Sequence, residues 1–128
     1  MTVRVATHED IPALKALLED TGLLNPDLCY DNFTHPVLVA VVEGKVVGML
    51  SALLGHPYCL VSEIAVAPEW QNRGVATQLG LTFEDHIRLM GYTAWATCTR
   101  VGGDGEACIA RWPGVKQTGT ASTWVKTL

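Results

Sequence analysis

The chain has 128 residues, 48% of them hydrophobic and 17% charged, with a formal net charge of −4. That length suits one domain with a proper core, and a mean hydropathy of +0.22 excludes a disordered chain. No apolar run is long enough to cross a bilayer, Met1-Thr2-Val3-Arg4 lacks the apolar centre of a signal peptide, and the acidic balance argues against general nucleic-acid binding, so a cytoplasmic protein with no membrane or nucleic-acid partner is expected.

Residues 2–6 are rich in β-branched side chains and predict a first strand. Thr7 followed by Asp10 has the spacing of a capping box, Asp10 can also cap directly, and Pro12 fits only a first helical turn. Ile11, Leu14, Leu17 and Leu18 then form one helical stripe, with Gly22 as the stop. Asn25-Pro26-Asp27 is turn chemistry, and residues 28–33 read as a short second helix. Residues 37–42 and 46–54 are two apolar strand-like runs joined by Glu43-Gly44-Lys45, a hairpin signal. Gly48 inside the second run points to a bulge or to close packing.

His56-Pro57-Tyr58 ends that strand, and residues 59–66 make a fourth. Val75, Leu79, Thr82, Phe83, His86, Ile87 and Met90 recur at helical spacing up to the stop at Gly91. His86 on that stripe reads as a helix histidine rather than a catalytic one. Residues 92–101 predict a fifth strand, residues 106–112 a short helix stopped by Pro113-Gly114, and residues 118–125 a last strand. The four cysteines, Cys29, Cys59, Cys98 and Cys108, make no C-x-x-C pair. Free thiols are therefore expected, and no disulfide or metal site.

The chemistry concentrates between the fourth strand and the long helix, in Val66-Ala67-Pro68-Glu69-Trp70-Gln71-Asn72-Arg73-Gly74-Val75-Ala76. Pro68 ends the strand by removing a ladder donor. Gly74 lets the backbone come close to a ligand, and the small Ala76 leaves the first helical turn uncluttered. The first N–H groups of a helix have no partner inside it, and the dipole favours negative charge there. Arg73 adds a full positive charge. One reading is a strand-to-helix turn with a surface arginine; the other is a phosphate cradle, for a pyrophosphate. It is not a Walker loop, which needs Gly-Lys-Ser/Thr, nor a G-x-G-x-x-G fingerprint.

The stretch resembles the coenzyme A loop of the GNAT acetyltransferase superfamily, Q/R-x-x-G-x-G/A, here Gln71-x-x-Gly74-x-Ala76 after Val66-x-Pro68-x-Trp70 with the acidic Glu69. The resemblance is specific over residues 61–76 and rests on element order elsewhere. It implies the α/β (α+β) GNAT fold, a mixed, mostly antiparallel sheet of six or seven strands with helices on both faces, as a single domain over residues 1–128. It implies an acetyl-CoA-dependent N-acetyltransferase. Ile64, Ala65 and Val66 would pair with the pantetheine arm, the backbone N–H groups of Gln71, Asn72, Arg73, Gly74, Val75 and Ala76 would meet the pyrophosphate, and Thr77 would add a hydroxyl. On this reading Asn72 and Val75 need no special chemistry of their own.

Glu63, just before Ile64, matches the position where several members hold a general base. The alternative is an outward-facing strand residue paired with a cation. His56, Tyr58 and Cys59 are weaker alternates. Tyr30 and His35, with Asp31 and Asn32, fall in the segment that often walls the acceptor pocket, where a primary amine of a small molecule or peptide would bind; an ordinary polar loop is the other reading. The chain departs from the family pattern late. The tyrosine that protonates the leaving thiolate in many members falls on Ala110, and the aromatic after glycine falls on Val115. The thiolate then leaves unprotonated, another residue serves, or catalysis has been lost and a coenzyme A-binding module remains. Members often dimerise through C-terminal strands, which with Trp124 in residues 118–125 suggests a homodimer; the other reading is that Trp124 packs into the monomer core.

Overall fold

The computed structural model describes residues 1–21, 36–99, 102–120, 124, 126 and 127. Its centre is the expected hairpin. β2 (Val37–Val42) and β3 (Lys45–Leu53) pair antiparallel, with Val42 opposite Lys45. Glu43 and Gly44 between them take φ of 50° and 78°, the mirror-image turn whose twist matches the flanking strands. β1 (Thr2–Val5) adds antiparallel to β2, and β4 (Cys59–Val66) antiparallel to β3. β5 (Trp95–Thr97) joins β4 in parallel, so the sheet order β1-β2-β3-β4-β5 follows the chain.

Helices cover both faces. α1 (Ile11–Asp20) buries Leu14, Leu17 and Leu18 in one cluster with Val37, Val39, Met49 and Ala65. α2 (Val75–Leu89) buries Val75, Leu79, Phe83 and Ile87 in a second, with Leu38, Ala40, Leu50 and Val61. Each large side chain so buried contributes roughly 1.5–3 kcal/mol, which makes these two stripes the main hold on the helices. Met90, expected on the α2 stripe, lies past the helix end and is exposed. Both expectations for Gly48 hold. A Cβ there would lie 2.7 Å from Val75 Cγ1, and the register steps from Ala40↔Gly48 to Val41↔Val46, leaving Val47 as the extra residue of a bulge.

The start of α1 is tied down by Asp10, which is buried. Its carboxylate accepts the Thr7 N–H at 2.7 Å and two guanidinium bonds from Arg4 at 2.8 and 3.0 Å. The Arg4 bonds above all hold the Asp10 carboxyl down to about 2. At its other end, α2 closes on Gly91, whose N–H donates to Arg88 while the Tyr92 N–H reaches back to Ile87, the pattern of a glycine stop. The Tyr92 hydroxyl donates to the Gly55 carbonyl at 2.8 Å. Those bonds commit Tyr92 to the helix end, so the fifth strand is shorter than residues 92–101.

Residues 1–97 pack as one compact unit and residues 98–128 as another. The second holds α3 (Asp104–Ala110), shifted from the predicted residues 106–112 because the Gly103 carbonyl already accepts the Ala107 N–H. Of the predicted last strand, residues 118–120 and Trp124 are described; they are exposed and in no strand. The sheet therefore has five strands among the described residues, against the six or seven expected. The predicted helix over residues 28–33, with Tyr30, Asp31, Asn32 and His35, lies outside the described residues. No described helix is long and apolar enough to cross a membrane.

Candidate functional site

β4 has two unlike halves. Leu60 and Val61 sit between two strands, paired with Leu53 and Ala52 of β3 on one side and with Ala96 and Thr97 of β5 on the other, and Cys59 before them pairs with Trp95 of β5. The Thr97 hydroxyl closes that stretch by donating to the Val61 carbonyl at 2.8 Å. Past Val61, β4 stays on β3 as far as Val66 opposite Gly48, and among the described residues β5 no longer accompanies it. A bulge marks the parting: the register passes from Ala52↔Val61 to Ser51↔Glu63, which leaves Ser62 as the extra residue.

An extra residue reverses the alternation of faces. Val61 and Ile64 both pack toward α2, and Ala65 packs toward α1. Glu63 therefore shares the α1 face with its cross-strand partner Ser51. Without the bulge it would point at the α2 core. Glu63 is half-buried, Ile64 and Val66 are half-buried, and Ala65 is buried. The Ser51 hydroxyl is 2.9 Å from that of Ser62.

The loop after β4 is built by its own residues. Pro68–Trp70 form a single 3-10 turn, with the Trp70 N–H donating to the Ala67 carbonyl at 2.8 Å. Asn72 takes φ of 60° and Gly74 φ of 82°. The sequence reading gave Asn72 no special role, yet a left-handed residue favours asparagine after glycine. Val75, likewise passed over, is buried against Leu79 and β3 and anchors the helix start. The Gln71 side-chain amide donates to the Val66 carbonyl at 3.1 Å, a bond that backbone reasoning did not anticipate.

This loop delivers an open helix start. α2 has Gly74 at its N-cap, no side-chain cap and no acid in its first turn. A Cβ on Gly74 would meet no atom within 4 Å. Gln71, Asn72, Arg73, Gly74 and Thr77 are exposed and Ala76 is half-buried. The Arg73 guanidinium lies over the Trp70 ring, 5.0 Å from its centroid, and Glu69 pairs with Lys45 at 3.8 Å. Positive charge thus stands beside an uncapped helix N-terminus, which is what an anion requires.

The weaker alternates separate. His56 and Tyr58 are exposed on the β3–β4 connection. Cys59 is buried in the α2 core, and burial pushes its thiol up, so it stays protonated and apolar in role. Cys98 and Cys108 are free, as expected. No group of metal-ligating side chains occurs among the described residues.

The family model of the acetyltransferase (GNAT) family matches residues 7–105, and the chain belongs to that family. No curated protein matches it. Solved structures match along the whole chain. The aminoglycoside N-acetyltransferase AAC(6')-Iy in complex with CoA is 16% identical, with a TM-score of 0.80 over 99% of this chain and 100% of that one. A ribosomal-protein-alanine N-acetyltransferase from Brucella melitensis is 19% identical, with a TM-score of 0.77 over 100% of this chain and 99% of that one. An aminoglycoside acetyltransferase from an uncultured soil metagenomic sample, in complex with trehalose, is 18% identical, with a TM-score of 0.78 over 99% of this chain and 95% of that one. These likenesses establish the fold, a mixed α/β sheet with helices.

Proposed function

We propose that this chain is a cytoplasmic, single-domain, acetyl-CoA-dependent N-acetyltransferase that acts on a primary amine of a small molecule or a protein. One observation carries the reading: β4 loses its β5 partner after Val61 and then leads, through a loop with two left-handed residues, into an uncapped helix start beside Arg73. That is a row of backbone groups followed by an anion cradle, the order in which a pantetheine arm and a pyrophosphate follow one another. The space in front of Gly74 and the absence of an acid in the first turn fit such a group. Solved structures of this fold include acetyltransferases for aminoglycosides and for ribosomal-protein alanine, which supports an amine acceptor.

Acetyl-CoA would supply an activated acyl group. On this reading Ile64, Ala65 and Val66 hold the arm by backbone pairing, and the N–H groups of residues 71–76 with the Thr77 hydroxyl hold the diphosphate. Glu63 receives the proton of the acceptor amine, and Tyr30 and His35 contribute to the acceptor pocket. Holding both reactants together turns a bimolecular encounter into a local one. The decisive measurement is thiol release from acetyl-CoA with a panel of aminoglycosides, alkyl amines and peptides. Turnover with any of them, and a rise in Tm with coenzyme A, is expected.

A second reading keeps coenzyme A binding without turnover, and Ala110 favours it. It ends α3 where the family pattern has a tyrosine. A Tm rise with coenzyme A but no thiol release would select this reading. A homodimer is also proposed, supported by Trp124, which is 90% exposed. Light scattering giving a mass of a single 13.8 kDa chain at all concentrations would exclude it.

A further inference from the structure

Ser51 is a buried polar residue, 5% exposed, in the middle of an apolar strand. Its hydroxyl lies 2.9 Å from the hydroxyl of Ser62, which is exposed and is the extra residue of the β4 bulge. A buried hydroxyl needs a partner, and a strand surface could have supplied an apolar residue instead. Here a bulge brings an outer serine onto an inner one. Each hydroxyl has one proton and two acceptor sites. The bond fixes where the Ser62 oxygen stands, and whichever of the two donates, Ser62 keeps acceptor capacity toward the surface. A chain of two hydroxyls also polarises its outer member.

The same bulge sets Ser62 and Glu63 side by side opposite Ser51, because two residues of β4 there face one of β3. Directly opposed residues of an antiparallel pair have Cβ atoms about 4.5–5.5 Å apart. A hydroxyl acceptor and a carboxylate therefore stand together where β4 parts from β5.

We infer that Ser62, oriented by Ser51, receives one N–H of the acceptor amine while Glu63 receives the other, and that this pair makes the site selective for primary amines. The inference rests on the acetyltransferase reading above. A primary amine has two N–H bonds and one lone pair. With one N–H on Glu63 and the other on Ser62, the lone pair points away from both, toward the acyl carbon. The N–C bond then forms, the C–S bond breaks with its electron pair going to sulfur, and one amine proton passes to Glu63. Ser62 makes and breaks no covalent bond. Ser51 is a positioning residue that acts only through Ser62. A secondary amine has a single N–H and cannot satisfy both groups, so it leaves one acceptor unpaired, the situation that sites built on hydrogen bonds reject most strongly.

The experiment compares a primary amine that the parent protein turns over with its N-methyl analogue. It measures kcat/KM for the parent, Ser62→Ala, Ser62→Thr and Ser51→Ala. The parent should prefer the primary amine by roughly 10-fold or more. Ser62→Ala should lose most of that preference by slowing the primary amine alone, with the acetyl-CoA KM unchanged. Ser62→Thr, which keeps the hydroxyl, should retain the preference, and Ser51→Ala should weaken it in part. An unchanged preference in Ser62→Ala, or equal slowing of both amines, overturns the inference and leaves the acetyltransferase reading intact. A lower Tm in Ser51→Ala with an unaltered preference also overturns it, since a merely structural serine behaves that way. No turnover by the parent with any amine overturns both.

Discussion

The side-chain amide of Gln71 and the backbone carbonyl of Val66 meet at 3.1 Å, so the tip of the loop is fastened to the end of the strand it leaves. The bond holds the loop in the shape that presents its N–H groups. A typical hydrogen bond is worth about 1 kcal/mol net. Gln71→Ala should therefore weaken coenzyme A binding about fivefold, with little change in unfolding. Titration calorimetry reads this directly, and equal affinity would show that the loop holds its shape without the tie.

Gly74 has a φ of 82° and open space where a Cβ would stand. Gly74→Ala should cost about 1–2 kcal/mol from the left-handed backbone alone. Gly74→Glu adds a negative charge in front of the helix start and should abolish the Tm rise given by coenzyme A. If Gly74→Glu binds as well as the parent, the cradle lies elsewhere.

Gly48 answers a packing question. Its missing Cβ would sit 2.7 Å from Val75 Cγ1 and 3.3 Å from both the Ala65 carbonyl and Leu79 Cδ1. Val75 is β-branched and stiff, so it cannot turn aside. Gly48→Ala should destabilise by roughly 1–3 kcal/mol, as overpacking does, and should also loosen the start of α2. Urea unfolding gives the first effect and coenzyme A affinity the second.

Glu63→Gln keeps shape and removes the base. Turnover should fall roughly 10²-fold or more, and coenzyme A affinity should stay. A rate equal to the parent's across pH 6 to 9 would hand the proton to another group.

The Arg4–Asp10 pair predicts an acid limit. Its folded carboxyl is held down to about 2 against an ordinary 3.8. A depressed pKa stabilises above the unfolded value and is lost as pH falls through the folded one. Arg4 is 44% exposed, so solvent trims the effect to on the order of 1–2 kcal/mol. Asp10→Asn should be less stable than the parent by that amount at pH 7. The gap should close between about pH 4 and pH 2 in denaturant titrations.

Much of this was readable from residue patterns because it depends on short-range rules. The α1 stripe, the α2 stripe as far as Ile87, the Glu43-Gly44 turn and the Gly91 stop each follow from local periodicity or from a required φ, and each appears where the pattern puts it. The bulge at Ser62 did not announce itself. Nothing in Val61-Ser62-Glu63-Ile64 distinguishes two residues facing one from a regular strand, because register depends on the partner strand. Ser51 was hidden for the same reason: its meaning comes from a residue eleven positions away. Tyr92 looked like strand and proved to be a helix terminus, since one N–H bond to Ile87 outweighs an alternating pattern.

Strand order matches chain order, and that has a consequence for how the molecule is made. As the polypeptide leaves the ribosome, β2, β3 and β4 can each dock on a strand already present. β5 must wait for all of α2, and its parallel seam with β4, three residues long, closes the loop over residues 67–94. The seam bordering the parting of β4 is thus the last stitch of the sheet and the shortest. Its amide protons should exchange with solvent sooner than those of the β2–β3 hairpin, so the edge that ligand would line is also the edge the protein opens most readily.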